Sequence, residues 1–136
     1  MAGFISPPDQ HGFNALTWEI VKQIPPGKVS TYGRIAAFIP PPPGMSEKDY
    51  RAFGARWVGR AMSACPENVP WQRVINAQGK ISLPKGSGQE SQKQLLEDEG
   101  IIFDSYDRVS LSRYGWEGPS KDFCEMHGLI WQGEVK

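Results

Sequence analysis

Proline and glycine breaks divide the first half of the chain into short segments, and this limits which elements it can form. The sequence PPG at 25–27, the run PPPPG at 40–44 and Pro66 each end an apolar helical pattern. Proline stops a helix because it lacks a backbone N–H and clashes with the preceding turn. We therefore predict three short helices, and we expect the four consecutive prolines to form a stiff polyproline-like spacer.

These helices are predicted over residues 13–24, 32–39 and 52–64, with Ser30 or Thr31 as the N-cap of the second. The sequence SEKD at 46–49 predicts a separate short helical turn before the third helix. Apolar residues recur at intervals of three or four on one face of each helix. Those expected in the core are Phe13, Leu16, Ile20, Val21 and Ile24 of the first helix and Phe53, Trp57, Val58, Ala61 and Met62 of the third.

The second half of the chain predicts two hairpins and one helix. Residues 74–75 and 80–82 flank a four-residue connection that ends in glycine, and residues 101–103 and 109–111 could form a second hairpin. A flexible basic loop is expected at 83–88, before a helix over 89–99 with Leu95 and Leu96 facing inward. The expected fold is mostly α with short β-hairpins.

A length of 136 residues indicates one domain with a modest core. We expect a flexible N-terminal arm over 1–12, the domain itself over 13–111, and a C-terminal extension over 112–136 that shows no clear period. No run of 18 apolar residues exists, which argues against a membrane span. The N-terminus lacks the pattern of a secretory signal, so a cytoplasmic protein is expected, associated with the nucleoid in a bacterium or nuclear in a eukaryote.

Two widely spaced cysteines, Cys65 and Cys124, are typical of reduced thiols. His11 and His127 do not stand at metal-motif spacing from them, so neither a metal nor another cofactor is expected.

The formal net charge is zero, but the charges are unevenly distributed along the chain. Residues 51–93 hold seven Lys and Arg against two Glu, a net charge of +5, whereas residues 97–136 have a net charge of −5. Such asymmetry suggests a polyanion-binding face. An ordinary mixed surface explains it equally well.

The second and third helices could form a helix-turn-helix-like pair, as in a winged DNA-binding domain. The segment between them is far longer than the usual turn of three or four residues. The helical pattern therefore allows DNA binding without requiring it.

Four stretches in order carry a specific resemblance: VSTYGRIAAFI, GARWVGRAMSACP, NVPWQRVINAQGKIS and QESQKQLLEDEG. Together they resemble the DNA-binding domain of the O6-alkylguanine-DNA alkyltransferases over about residues 13–111. The enzymes have a Pro-Cys-His-Arg motif, where this chain has Pro70-Trp71-Gln72-Arg73. Tryptophan at the acceptor position is similar to the alkyltransferase-like proteins, which bind alkylated DNA without repairing it and hand it to nucleotide excision repair.

The resemblance implies that the alkyl-transfer chemistry is absent, so that the chain has no catalytic residue. Alkyl transfer needs a thiolate made by a nearby base that a third group orients. By resemblance Trp71 stands at the nucleophile, Gln72 at the histidine base and Glu99 at the orienting glutamate. An indole cannot attack a saturated carbon, and Gln72 takes no proton at neutral pH. We expect a structural role for Glu99, and a packing role for Cys65 where the enzymes usually have Asn.

The resemblance also assigns residues to DNA binding and nucleotide flipping. Arg56 would fill the gap left by the rotated nucleotide, and Tyr32 would crowd its 3′ phosphate. Gly59 and Arg60 would lie on the helix face that approaches the minor groove, with Ser30 and Thr31 as phosphate donors near a helix N-terminus.

Trp71 becomes the wall of a pocket for the rotated base, because an indole offers a large apolar face. The other residues expected around this lesion pocket are Val69, Pro70, Gln72, Arg73, Val74, Lys85, Gly86 and Ser87. Arg73 either braces the loop or reaches a phosphate, and the sequence does not distinguish the two. Relative to the family, residues 40–51 are an insertion that adds Lys48 and Arg51 toward DNA or a partner.

The predicted function is therefore that of a monomeric, non-enzymatic sensor of O6-alkylguanine in double-stranded DNA, with nucleotide excision repair proteins as further partners. Two alternatives stay open. One is an active alkyltransferase with a relocated cysteine, and the other is a winged-helix transcription regulator that binds undamaged sequence.

Overall fold

A computed structural model describes residues 7–83 and 86–133. Its helices are α1 (Gln10–Lys22), α2 (Tyr32–Ala37), α3 (Glu47–Ser63), α4 (Gln89–Asp98), α5 (Leu111–Tyr114) and α6 (Lys121–His127). Two short strands, β1 (Ser30–Thr31) and β2 (Val74–Ile75), pair in parallel, and a 3₁₀ turn covers Trp71–Arg73. The mostly helical class predicted from the sequence is confirmed.

The predicted N-cap of α2 is confirmed as Thr31, whose side-chain oxygen accepts a hydrogen bond from the Arg34 N–H at 3.2 Å. The prediction for α3 was wrong in one respect. Residues 46–49 do not form a separate turn, because Ser46 caps a single helix of 17 residues through the Asp49 N–H. Acidic residues in the first turn favour this start, since they complement the helix dipole.

The predicted hairpin around residues 76–79 was also wrong, because β2 pairs with β1 and residues 80–82 are not a strand. The turn itself is present: the Asn76 N–H donates to the Lys80 carbonyl at 2.9 Å. The second expected hairpin is reduced to one antiparallel bridge between Phe103 and Val109. Leu111 begins α5 instead of extending that bridge.

Two groups of buried side chains form the core. The larger one joins α1, α2 and α3 around Trp57, which is 1% exposed and packs against the rings of Phe13, Tyr50 and Phe53. The smaller one holds Val29, Ile75, Leu96, Ile101, Val109 and Tyr114. Leu95 was expected to face inward, but its side chain is exposed. Gln92 is buried with Leu96 on the inward face of α4.

The C-terminal residues pack closely on the rest of the molecule. Trp116 lies edge-on to Phe38 with 6.2 Å between ring centroids, and the Val29 carbonyl accepts a 2.7 Å hydrogen bond from the Trp116 N–H. The boundary expected between 111 and 112 falls inside α5. Three of the twelve residues assigned to the N-terminal arm already belong to α1, which begins at Gln10.

Candidate nucleic-acid interface

The carboxylate of Glu99 is the centre of a hydrogen-bond network below the Pro-Trp-Gln-Arg motif. It accepts from Gln72 Nε2 at 2.8 Å, from Arg73 Nε at 3.0 Å and from the backbone N–H of Gly27 at 3.3 Å. Arg73 also donates through Nη1 to the Ile24 carbonyl at 2.8 Å. The network therefore ties the end of α4 to the turn that follows α1.

Burial by itself would raise the pKa of the Glu99 carboxyl. Hydrogen bonds from Arg73, Gln72 and Gly27, together with the charge of Arg73, outweigh that cost and hold the pKa below its ordinary value. Glu99 is thus a stable carboxylate at neutral pH, and Gln72 must present its N–H₂ group to it because a carboxylate only accepts. No proton can be taken up along this route, since an amide is not a base.

Arg73 braces the loop, which is one of the two roles that the sequence left open. Its side chain and that of Glu99 are each 14% exposed, and both Nε and Nη2 are directed to the carboxylate. This geometry is the paired fork that a guanidinium makes with a carboxylate.

Trp71 lies in the 3₁₀ turn and is half-buried. The turn is held by a 2.7 Å hydrogen bond from the Trp71 N–H to the Val69 carbonyl and a 3.1 Å bond from the Arg73 N–H to the Pro70 carbonyl. Below it, Gln92 Nε2 donates to the carbonyls of Gln72 and Val74 at 3.0 and 3.1 Å. The backbone that carries the indole is therefore held both by hydrogen bonds within the turn and by those from Gln92.

An open cleft of about 440 Å³ lies beside this turn, bordered by Trp71 and by Lys22, Glu67, Asn68, Val69, Pro70, Gln72 and Arg73. Val69 and Val74 are each 1% exposed and pack in the core, so neither offers a side chain to a large ligand. Gly86 and Ser87 are exposed in the turn before α4 and do not border the cleft. Lys85 lies outside the described residues.

Tyr32 and the proposed minor-groove helix face lie side by side. Tyr32 is the first residue of α2 and is half-buried. A Cβ added to Gly59 of α3 would lie 3.9 Å from Tyr32 Cδ1. Because Gly59 has no side chain, nothing projects beyond the helix backbone at this position. Arg56 and Arg60 are exposed on the same helix, and the side chain of Arg56 makes no hydrogen bond or ion pair with any other residue that the structure describes.

Ser30 and Thr31 are less accessible than a phosphate donor needs to be. They are 2% and 4% exposed, and Thr31 uses its oxygen to cap α2. The Ser30 hydroxyl is buried and has no hydrogen-bond partner within residues 7–83 and 86–133.

Both thiols lie where ionisation is disfavoured. Cys65 is half-buried against the larger core group, and burial raises its pKa. Cys124 is 1% exposed, and burial raises its pKa too. A thiolate is the nucleophilic form of cysteine, so neither environment activates a nucleophile. Cys65 therefore packs as expected from the sequence.

Gln92, Ile24 and Gly27 belong to the site but were not predicted as site residues. Gln92 carried a usable signal: it stands four residues before the buried Leu96, and a polar residue on the apolar face of a helix must find a buried partner. The contacts of Ile24 and Gly27 are made by backbone atoms, which the residue type does not reveal.

Comparison with known proteins agrees with this geometry. Residues 12–101 match the family described as 6-O-methylguanine DNA methyltransferase, DNA binding domain. A DNA base-flipping protein of Vibrio parahaemolyticus is 46% identical over 100 residues, covering 72% of this chain and 89% of that protein. Alkyltransferase-like protein 1 of Schizosaccharomyces pombe is 44% identical over 92 residues, covering 65% of this chain and 76% of that protein.

Among solved structures, S. pombe Atl1 in complex with damaged DNA containing O6-carboxymethylguanine is similar with a TM-score of 0.59 and 35% identity. The match covers 78% of this chain and 95% of Atl1. A variant of the Mycobacterium tuberculosis O6-methylguanine methyltransferase matches with a TM-score of 0.51 and 33% identity, over 69% of this chain and 53% of that one. The chain therefore belongs to the family of the 6-O-methylguanine DNA methyltransferase DNA-binding domain, and within it to the alkyltransferase-like proteins.

In the described part of the chain, no helix is both long and apolar enough to cross a membrane.

Proposed function

We propose that this protein binds duplex DNA containing O6-alkylguanine, rotates the damaged nucleotide out of the stack, and leaves the alkyl group in place. The observation that carries the proposal is the hydrogen bond from Gln72 to Glu99 beside Trp71. By resemblance, Arg73 and Glu99 of an alkyl-accepting site are retained, but the positions of the base and the nucleophile hold an amide and an indole, neither of which can activate or replace a thiolate.

Arg56 and Tyr32 support the flipping step. A lesion at the O6 atom of guanine is hidden in the duplex, and exposing it costs a few kcal/mol of unstacking. A flat guanidinium can stack in the vacated space and donate hydrogen bonds to the orphaned base. Arg56 is available for this because it is exposed on α3, one helical turn from Gly59. The approach through the minor groove suits a sensor that must ignore sequence, because that groove is read with little sequence detail.

Trp71 is proposed to form one wall of the space for the rotated base. Stacking on an indole contributes about 1–3 kcal/mol per base and tolerates different substituents. The role of Val74 in that wall is limited to supporting the backbone, since its side chain is in the core. Lys85, Gly86 and Ser87, which precede α4 in the sequence, remain proposed contacts.

The protein is further proposed to act as a monomer that hands the lesion to nucleotide excision repair. Tight binding without transfer also predicts that it shields the lesion from true alkyltransferases. This shielding follows from a site that binds and does not react.

Affinity for matched duplexes tests the proposal. One duplex carries a single O6-methylguanine and the other guanine at the same position, and both are titrated by gel shift at the same salt concentration, because phosphate contacts alone make affinity depend on salt. We expect preferential binding of the lesion, and equal affinity for both duplexes would refute the proposal. A preferred undamaged operator would instead support the transcription regulator.

Mass spectrometry separates the sensor from an enzyme with a relocated cysteine. The intact protein is measured after incubation with a molar excess of O6-methylguanine DNA. We expect no gain of a methyl group. A stable methyl adduct on Cys65 or Cys124 would mean that the protein is an alkyltransferase after all.

A further inference from the structure

The ring of Trp71 has few contacts of its own. Its side chain is half-buried, and it is not among the described side chains that pack against either core group. Within the described residues the indole also makes no hydrogen bond and no contact with another aromatic ring. The position of the ring therefore depends on the backbone that carries it, which is the 3₁₀ turn and the start of β2.

Gln92 joins two carbonyl groups of this backbone. Its Nε2 donates to the carbonyl of Gln72 in the turn at 3.0 Å and to the carbonyl of Val74 in β2 at 3.1 Å. A primary amide nitrogen has two N–H groups, so each carbonyl can receive one of them. Residues 72 and 74 lie on either side of the step from the turn into the strand. The bridge therefore fixes the direction in which the chain leaves Trp71.

The chemistry of this bridge requires an amide. Gln92 is 3% exposed, so water cannot readily replace its two hydrogen bonds. A carbonyl that loses its donor inside the protein retains the full cost of its removal from water. Among uncharged side chains, only Asn and Gln offer two N–H groups from one atom, and Asn is one methylene shorter. Neither an apolar residue nor a carboxylate can form the same bridge.

Gln92 and Glu99 hold the turn from the same side of α4. They are seven positions apart, which is close to two helical turns and about 10 Å of rise. Leu96 lies between them on this face and is fully buried. Glu99 binds the side chains of Gln72 and Arg73, whereas the side-chain amide of Gln92 binds main-chain atoms. Glu99 thus fixes two side chains beside Trp71, and Gln92 fixes the path of the backbone.

We propose that Gln92 is a positioning residue for lesion recognition and acts through Trp71. Because it is buried, Gln92 itself contacts neither the DNA nor the rotated base. It holds the turn in one conformation before DNA binds, so that stacking of the base on the indole requires no further ordering of the protein. The proposal rests on the proposed function for the identity of the ligand, but the effect of Gln92 on the turn is measurable without DNA.

Gln92→Met and Gln92→Glu remove the bridge with side chains of similar length. Methionine has no donor, and a carboxylate only accepts. For each variant, affinity is measured for a duplex with one O6-methylguanine and for the matched guanine duplex. We expect the preference for the lesion to fall at least fivefold while affinity for the guanine duplex stays within twofold of wild type. A purely structural role would instead weaken both duplexes together, through a smaller folded fraction.

The pH profile of Gln92→Glu is the most specific measurement. Burial and the two carbonyl oxygens both raise the pKa of a carboxyl group at this position above its ordinary value. Below that pKa the neutral acid donates one hydrogen bond to a carbonyl, and above it the carboxylate donates none. The lesion preference of this variant, relative to wild type at the same pH, should therefore recover at least threefold between about pH 8.5 and about pH 5.5.

Other charged groups lie around α4 and the turn. Arg73 is paired with Glu99, and Lys93 of α4 is paired with Asp107. Lys22 and Glu67 border the cleft beside Trp71. All of these groups are present in every variant, so the ratio to wild type at each pH removes their contribution.

Gln94→Glu is the matched control. It introduces the same charge on the same helix, at an exposed position whose amide donates to Asp98 at 2.9 Å and not to the turn. We expect wild-type lesion preference from this variant at both pH values. A Gln92→Glu profile that follows the Gln94→Glu profile would overturn the proposal.

The indole N–H signal of Trp71 reports the turn in the absence of DNA. Among the signals of the five tryptophans in a ¹H–¹⁵N spectrum, it is the one that Trp71→Phe removes. We expect one sharp signal in wild type and Gln94→Glu, and a shifted or broadened signal in Gln92→Met. An unchanged signal would refute the positioning role.

Two further outcomes are distinguishable. If Gln92→Met does not fold, Gln92→Glu at low pH carries the test, because it retains one of the two hydrogen bonds. If the wild type shows no lesion preference, the proposed function fails, while the Trp71 signal still decides whether Gln92 positions the indole.

Discussion

At the residue scale, Glu99 has a structural role although, by resemblance, the base and the nucleophile beside it are replaced by Gln72 and Trp71. Its carboxylate receives hydrogen bonds from Gln72, Arg73 and Gly27, which lie in two separate parts of the sequence. Removing the charge would leave the mostly buried guanidinium of Arg73 without its partner, and an unpaired buried charge costs more than a lost hydrogen bond.

Glu99→Gln is therefore expected to lower the free energy of unfolding by about 2 kcal/mol at neutral pH. The folded pKa of Glu99 is depressed, so its stabilising contribution is complete above the ordinary pKa of 4.5 and is lost as the pH falls through the folded value. Urea unfolding at pH 7 and about pH 3 should show the difference between wild type and variant shrinking toward low pH. Glu97→Gln, at an exposed position of α4, is the control, and an equal effect from it would contradict the argument.

Arg56→Ala is expected to reduce the preference for O6-methylguanine over guanine about tenfold or more, because the vacated space in the stack is no longer filled. Titration of both duplexes at one salt concentration measures the preference. Arg108→Ala removes an exposed arginine charge outside the proposed DNA-binding residues and serves as the matched control. If both variants weaken the two duplexes equally, Arg56 acts only as a phosphate contact.

At the scale of elements, α3 is the helix whose start depends on one hydroxyl. Ser46 Oγ accepts from the Asp49 N–H at 3.1 Å, directly after the proline run, and the helix then continues without a break to Ser63. The same helix carries Tyr50 against α2 and Arg56 toward the proposed DNA face. The N-terminal cap of α3 therefore contributes to the positions of Tyr50 and Arg56.

Ser46→Ala is expected to destabilise the fold by about 1 kcal/mol through loss of this cap. Ser46→Asp should restore the stability, because a carboxylate accepts the same N–H and complements the helix dipole. Thermal unfolding followed by circular dichroism measures both. A wild-type melting temperature for Ser46→Ala would mean that the proline spacer alone sets the start of α3.

At the scale of the whole molecule, the C-terminal residues complete the core. Phe38 is 3% exposed because Trp116 packs edge-on against its ring and the backbone at Gly118 approaches the tip of the ring. A Cβ added to Gly118 would lie 2.5 Å from the Phe38 ring, so this approach requires glycine. The region assigned to an extension from the sequence is therefore packed as part of the structure.

Two tryptophans near the C-terminus give a paired prediction. Trp116→Ala is expected to cost about 3 kcal/mol, since it empties a buried site, whereas Trp131→Ala should change the stability by less than about 1 kcal/mol, since its ring is partly in solvent. Urea unfolding of the two variants measures the difference. Equal losses would show that Trp131 also stabilises the core.

Local patterns in the sequence were enough to predict the helices and part of the site. The apolar spacing of 13–24 and the stops at proline predicted α1 and α2, and the observed cap Thr31 was one of the two residues proposed. The pairing of β2 with β1 could not be predicted, because two-residue strands carry no periodicity and the paired residues, such as Ser30 and Val74, are far apart in the chain. The DNA-binding roles of Arg56, Tyr32 and Trp71 remain predictions.

The sequence by itself determined that the chain cannot transfer an alkyl group through Trp71 and Gln72, because the reactivity of a side chain follows from its own atoms. It also determined where the helices break, because proline acts on its own neighbours along the chain. Only the tertiary structure decided that Arg73 pairs with Glu99, that Val69 and Val74 lie in the core, and that Trp116 is buried while Trp131 is exposed. Burial and hydrogen-bond partners depend on residues distant in the chain, and these distances are set only when all the elements pack together.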